Sequence, residues 1–485
     1  MSKELKTLSY EVLKELKYEG YLLKEAPERV LQFGEGNFLR AFADYFIDIL
    51  NEKTGFNSKV VMVQPIEGGD VIRNYINEQE GLYTLILRGN ENGHKVSKKR
   101  VISCVSRCLN PYSQYETVLE CAKNPELRYI VCNTTEAGIR YDESCRFDDT
   151  PAESYPAKLT RFMYERYKAF GNEQNKGFVI LACELIDDNG KELEKCVLKY
   201  AEQWQLKEEF KQWIKNENIF CSTLVDRIVT GYPRKEAEDI VKELGYRDNL
   251  IDTGEIFGFW VIEGPDSIKK ELSFEAADLP VIITDNHKPY KERKVRILNG
   301  AHTTMALGAY LAGKKIVREC MEDSVVREFM NKTIYEEIIP TLSLPKEELK
   351  EFAASVTDRF NNPFIDHELT SIALNSTSKW KARVLPSLKK YMEINNRLPR
   401  CIVASMAFYI EFCCGNKLND DRNVQEFYNA YKEENVCELV EKVLANKEFW
   451  GEDLTKLPGF KESVEENINY IRQYGTYENM KKCII

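Results

Sequence analysis

The chain has 485 residues, 43% of them hydrophobic and 11% aromatic, with 68 basic against 78 acidic side chains and a formal net charge of -10. That length exceeds a single core and predicts two or three domains, while the acidic balance argues against general nucleic-acid binding, which needs a basic face. No apolar run is long enough to span a bilayer, and residues 1–6 lack the apolar core of a secretion signal, so a cytoplasmic protein is expected.

Fourteen cysteines are scattered without any Cys-x-x-Cys pair, and the only histidines are His94, His287, His302 and His367. A zinc site wants ligand pairs at short spacing. Reduced, buried thiols and no metal are expected.

Residues 1–28 read as an amphipathic opening. A strand at 29–33 runs into Gly34-Glu35-Gly36-Asn37-Phe38-Leu39-Arg40, a helical pattern continues through Ala41, Phe42, Tyr45, Phe46 and Leu50, and a second strand at 59–63 ends at Gln64-Pro65. Strand, Gly-rich turn, helix, strand is the order of a dinucleotide-binding βαβ unit. The amides of Gly34 and Gly36, with Asn37 and Phe38 opening the helix, are placed to face a pyrophosphate. Leu39 takes the position of the usual third glycine. Arg40 is a candidate phosphate contact, with a plain solvent position as the alternative. Gln64 stands where an acid normally accepts from the ribose hydroxyls. No Lys or Arg follows the strand directly to hold a 2′-phosphate, so NAD is expected rather than NADP.

Further strands are predicted at 83–88, 128–132, 178–183 and 257–262. Near-continuous apolar runs alternating with helices indicate a mostly parallel sheet covered on both faces. Thr135, Glu136 and Glu184 follow the carboxyl ends of two such strands, the edge that faces the ligand crevice in a doubly wound sheet; ordinary turn chemistry is the alternative. After Pro280 the pattern turns helical, over about 292–311, 322–338, 345–360, 367–394, 399–414, 423–447 and 460–482. The expected fold class is α/β: a Rossmann-like doubly wound domain over 1–280, followed by an all-α domain over 281–485.

Where the two meet lies Lys294-Val295-Arg296-Ile297-Leu298-Asn299-Gly300-Ala301-His302. As a regular α-helix it places Lys294, Leu298 and His302 on one face, with Asn299 one residue's rotation away. An amine, an amide and an imidazole together suit proton transfer to or from a substrate oxygen; a basic helix with an inward histidine is the alternative. Lys288, Lys291, Arg293, Lys294 and Arg296 crowd around the single acid Glu292, a cluster that would attract a carboxylate. Lys379, Lys381 and Arg383 form a second basic group, and which cation takes the carboxylate stays open.

These segments together resemble the long-chain mannitol dehydrogenase family of polyol and sugar-acid dehydrogenases. The resemblance covers nearly the whole chain and rests on GEGNFLRAF at 34–42, TTEAG at 134–138, CELIDDNG at 183–190, STLVDRI at 222–228, KVRILNGAH at 294–302, RFNNPFID at 359–366 and the segment ending at Lys379. It implies that Lys294 is the general acid/base, that Asn299 and His302 bind the reacting oxygen, that Asp226 lies near the lysine, and that Lys379 reaches a distal substrate hydroxyl or carboxylate. Mannitol-type members carry Cys-Asp-Asn where this chain has Cys183-Glu184-Leu185, Glu where it has Lys291, and Arg where it has Ser371; Glu184 and Lys291 are assigned to the substrate side. VVMVQP at 60–65, CELIDDNG at 183–190 and PYKERKVRILNG at 289–300 resemble the branch that interconverts D-altronate and D-tagaturonate with NAD(H), which implies a small sugar-acid substrate. Fructuronate/mannonate or polyol oxidoreduction within the family is the alternative, and a non-enzymatic NADH sensor a more distant one. Neither nucleic acid nor membrane is expected as a partner. Assembly is left open, with a monomer compatible.

Overall fold

The computed structural model describes residues 5–91, 93–134, 137–171, 173–415 and 419–485. It divides into two compact units, one of Met1–Arg88 with Ser97–His287 and one of Gly89–Val96 with Lys288–Ile485. The strands in chain order are β1 (Glu28–Phe33), β2 (Lys59–Val63), β3 (Tyr83–Glu91), β4 (His94–Ile102), β5 (Val105–Leu109), β6 (Tyr129–Cys132), β7 (Val179–Ala182), β8 (Ile219–Asp226), β9 (Asp252–Glu255), β10 (Phe259–Glu263) and β11 (Val281–Thr284).

An eight-stranded sheet runs β11-β10-β8-β7-β6-β1-β2-β5, and β4-β3-β9 form a small second sheet. In the large sheet β10 runs antiparallel to β8, and the other pairings are parallel. Side chains alternate between two separate cores. Val30, Met62, Val131 and Leu181 join one, and Leu31, Val61, Ile130 and Ile180 the other. This period of two explains why the strands read as unbroken apolar runs: both faces are covered. The chain winds away from β1 in both directions, so the β1/β6 boundary is the topological switch point, the place where such sheets bind ligands.

The helix expected from residue 37 through 50 is two helices, Asn37–Ala41 and Ala43–Thr54, broken at Phe42 (φ -121°, ψ -80°). Carbonyls that would continue the helix are taken from outside. Tyr83 donates its hydroxyl to the Arg40 carbonyl at 2.9 Å, and Arg227 Nη1 donates to that of Ala41 at 2.6 Å.

In the second unit two buried helices, Gly300–Leu311 and Arg400–Cys414, pack together at its centre. Both are apolar on nearly every face, as a helix enclosed by others must be. Gly308 allows the close approach, since a Cβ there would lie 2.5 Å from Phe408. Both oxygens of the buried Glu337 accept backbone N–H groups of Cys401 and Ile402 at 2.9 Å, capping the second helix, and burial pushes this carboxyl up to about 7. The single helix expected over 367–394 is three: Leu369–Ile372, Ser376–Arg383 and Leu385–Asn395. Asn375 in the left-handed region (φ 54°) and Pro386 in the first turn of the last helix make the breaks. Among the described residues no helix is long and apolar enough to cross a membrane, and all the cysteines are free thiols.

Candidate active site

At the end of β1, Gly34 adopts φ +123°, a conformation that L side chains rarely enter, and a Cβ there would sit 3.2 Å from Leu39 Cδ1 and 3.5 Å from the Asn133 carbonyl. Leu39, in the place of the third glycine, therefore packs under the turn. A Cβ on Gly36 would meet nothing within 4 Å, so open space lies over the turn at the switch point, and Gly36 and Asn37 are exposed there. Phe38 is half-buried and stacks on Phe42, 5.1 Å between ring centroids. Gln64 is fully buried; its Nε2 donates to the Ile66 carbonyl at 2.7 Å, and its Oε1 is buried without a partner. A positive-φ glycine, an open turn and an orphaned acceptor beside the second strand fit a dinucleotide.

Arg40 is a correction. Its guanidinium points inward, 2% exposed, donating to the carbonyls of Leu250 and Glu35 and to Asn37 Oδ1, so it is unavailable to a phosphate. Glu184 is a second correction. Its Oε1 accepts from the backbone N–H and hydroxyl of Thr134, both at 3.0 Å, so it ties the β6 and β7 ends together instead of facing a substrate; burial raises its pKa. Thr135 and Glu136 lie outside the described residues. Asp226 is the buried last residue of β8. Asp188, Glu263 and His287 bring ligand-type atoms within 4.8 Å of one another, a grouping with no signal in the sequence spacing. Lys191 already supplies positive charge there, 2.6 Å from Glu263 and 3.4 Å from Asp188.

In the second unit Lys294–Asn299 is a π-helix between the α-helices Lys288–Arg293 and Gly300–Leu311, closed by the Gly300 N–H donating to the Val295 carbonyl five residues back. This corrects the regular helix expected. At about 100° per residue an α-helix would turn Asn299 about 140° away from Lys294. The wider i→i+5 turn brings Asn299 back under Lys294, as i+4 lies under i in an α-helix, and such turns recur at functional sites. His302 follows three residues later on regular helix, which makes it Asn299's neighbour on that face. Leu298, expected on the polar face, is buried at 8% exposure. Lys294, Asn299 and Lys291 are all partly exposed.

The His302 ring stacks on Phe360, centroids 3.9 Å apart, and meets His367 edge-on at 5.2 Å. The residue is partly exposed, yet Nε2 is buried with no hydrogen-bond partner. Burial, then the charges of His367, Arg359, Arg383 and Lys379, hold its pKa well below the usual range, so the imidazole is neutral at physiological pH. His367 is fixed by its backbone, its carbonyl accepting the Val317 N–H at 2.9 Å. Lys379 Nζ donates to the Ile372 carbonyl at 2.9 Å, and burial, then Arg383, lower its pKa.

The basic cluster at 288–296 is partly spent on structure. Arg293 is buried, lies over Phe352 and pairs with Glu348 at 2.6 Å; Arg296 donates to Ser387 Oγ and Glu292. Arg359, Phe360 and His367 were not singled out from the sequence, and only the count of four histidines pointed toward the last.

A doubly wound sheet with an open Gly-rich turn at its switch point, and a helical unit presenting lysine, amide and imidazole on one helix, define the class of two-part dehydrogenases. The mannitol dehydrogenase Rossmann domain model matches residues 28–276, and the mannitol dehydrogenase C-terminal domain model residues 286–472. The chain belongs to the mannitol dehydrogenase family. It is 48% identical over 468 residues to altronate oxidoreductase of Escherichia coli O6:K15:H31, covering 94% of this chain and 96% of that one. Altronate oxidoreductase of Shigella flexneri is 47% identical over the same span. Pseudomonas fluorescens mannitol 2-dehydrogenase, solved as a ternary complex with NAD and D-mannitol, shares the fold at TM-score 0.69 and 21% identity over 98% of this chain and 99% of that one. D-sorbitol dehydrogenase in substrate-free form does so at TM-score 0.79 and 21% identity, over 98% of this chain and 100% of that one.

Proposed function

We propose that this chain is an NAD-dependent oxidoreductase that interconverts D-altronate and D-tagaturonate. The observation that carries the reading is the Lys294–Asn299–His302 face set beside basic side chains, in a chain nearly half identical along its length to altronate oxidoreductases. Gly34, Gly36, Asn37 and Gln64 hold the cofactor, Phe38 supports the turn through Phe42, and Thr135 and Glu136 are assigned to the cofactor from the sequence motif alone. The absence of a basic residue directly after β2 favours NAD over NADP. NADH, when bound, supplies the hydride to the keto carbon. Lys294 gives its proton to the keto oxygen in reduction and takes it back from the hydroxyl in oxidation. Asn299 and the neutral His302 donate hydrogen bonds to that oxygen as negative charge develops on it. Asp226, Lys291 and Lys379 serve the substrate side, and the protein acts in the cytoplasm.

The test is oxidation of D-altronate with NAD+, with the product identified as D-tagaturonate. Oxidation of D-mannitol with altronate left untouched would overturn the reading.

A further inference from the structure

We propose that Arg383, with Lys379 beside it, receives the substrate's carboxylate and so sets the preference for a sugar acid over a polyol. The inference rests on the sugar-acid reading above and deepens it.

Helix Ser376–Arg383 places these two cations four residues apart, on one face. Both are partly buried. Among the described residues neither forms an ion pair. The side-chain hydrogen bonds there are Lys379 Nζ to the Ile372 carbonyl and Arg383 Nη1 to Thr303 Oγ1 at 3.4 Å. An ammonium has three donors and a guanidinium five, so most of this capacity is not spent on protein acceptors. Withdrawing two like charges from water side by side is unfavourable unless an anion joins them. Burial lowers the pKa of each, and Arg383 lowers that of Lys379 further, against a smaller opposing pull from the Asp420 carboxylate; among the described residues no such counter-charge acts on Arg383.

Position gives the second argument. Thr303, which Arg383 touches, directly follows His302, whose Nε2 is buried and unpartnered. Arg383 and Lys379 are both near enough to oppose a charge on His302, so an anion on Arg383 lies close to the imidazole proposed to hold the reacting oxygen. The contrast with Arg293 and Arg296 is direct, because those guanidiniums are committed to Glu348 and to Glu292 and Ser387. A guanidinium fork matches a carboxylate through two parallel hydrogen bonds, whereas a polyol brings no charge to meet Arg383.

The experiment compares wild type, Arg383→Leu and Arg383→Lys at saturating NADH, measuring kcat and KM for D-tagaturonate. Equilibrium binding of D-gluconate and of D-sorbitol, which carries a hydroxymethyl group in place of the carboxylate, is measured alongside. The expected result for Arg383→Leu is a KM raised roughly 30- to 1,000-fold with kcat changed by less than about tenfold. Gluconate binding should weaken in parallel, sorbitol binding should shift far less, and Arg383→Lys should fall in between. An unchanged KM, equal weakening of gluconate and sorbitol, or a Lys variant as impaired as the Leu variant would overturn the proposal. If wild type does not turn over tagaturonate, the functional reading fails, and gluconate binding still decides: weakening by Arg383→Leu supports the receptor, while no binding or no change removes it.

Discussion

Lys294→Ala is expected to lower turnover of tagaturonate by about two to four orders of magnitude, the range lost when a positioned acid/base is removed. The affinity for NADH should stay nearly unchanged, because the Gly34–Gly36 turn belongs to the other compact unit. Lys294→Arg separates the two things a lysine offers. It keeps the positive charge but cannot release a proton near neutrality, so it should be nearly as inactive as the alanine variant. If Lys294 acted only as a fixed charge, Arg would restore most of the rate. Steady-state kinetics with a fluorescence titration of NADH reads both, and unimpaired turnover in Lys294→Ala would refute its role.

His302→Ala should lower kcat/KM by about 10²- to 10³-fold, the usual loss for one donor aimed at a developing oxyanion. The ring is held between Phe360 and His367 with Nε2 unpartnered, an arrangement that leaves one polar atom waiting for a ligand oxygen. The same residue gives a pH signature. Its folded pKa lies below the ordinary value of 6.5 because burial and nearby cations oppose the charged form. Its contribution to stability is therefore fully present above about pH 6.5 and is lost as pH falls toward the folded pKa. Wild type should lose stability between pH 6.5 and 5 more steeply than His302→Asn in denaturant titrations. Parallel curves would show that the imidazole is not held neutral.

The α/β sheet was legible because its strands are apolar on both faces, and the Gly34/Gly36 turn because only a glycine accepts φ +123° there. Three features were hidden for identifiable reasons. The π-turn leaves no mark in a hydrophobic pattern read at 3.6 residues per turn, so Asn299 seemed misaligned when it is on the face. Arg40 and Glu184 stand at positions where ligand contacts are common, but Leu250 and Thr134, far away in sequence, draw them into the fold. The surround of His302 comes from residues 359–383, brought to the central helix only by tertiary packing. Net charge could not separate the committed Arg293 from the uncommitted Arg383; the positions of Glu348 and Thr303 do.

The central claim, that this chain reduces a sugar acid with NADH through Lys294, is tested most directly by NADH oxidation with D-tagaturonate, D-fructuronate and D-fructose in parallel. Rapid turnover of tagaturonate, with far slower reaction of the other two, is the predicted result. Turnover of fructose in preference to both keto acids would contradict it, as would silence with all three.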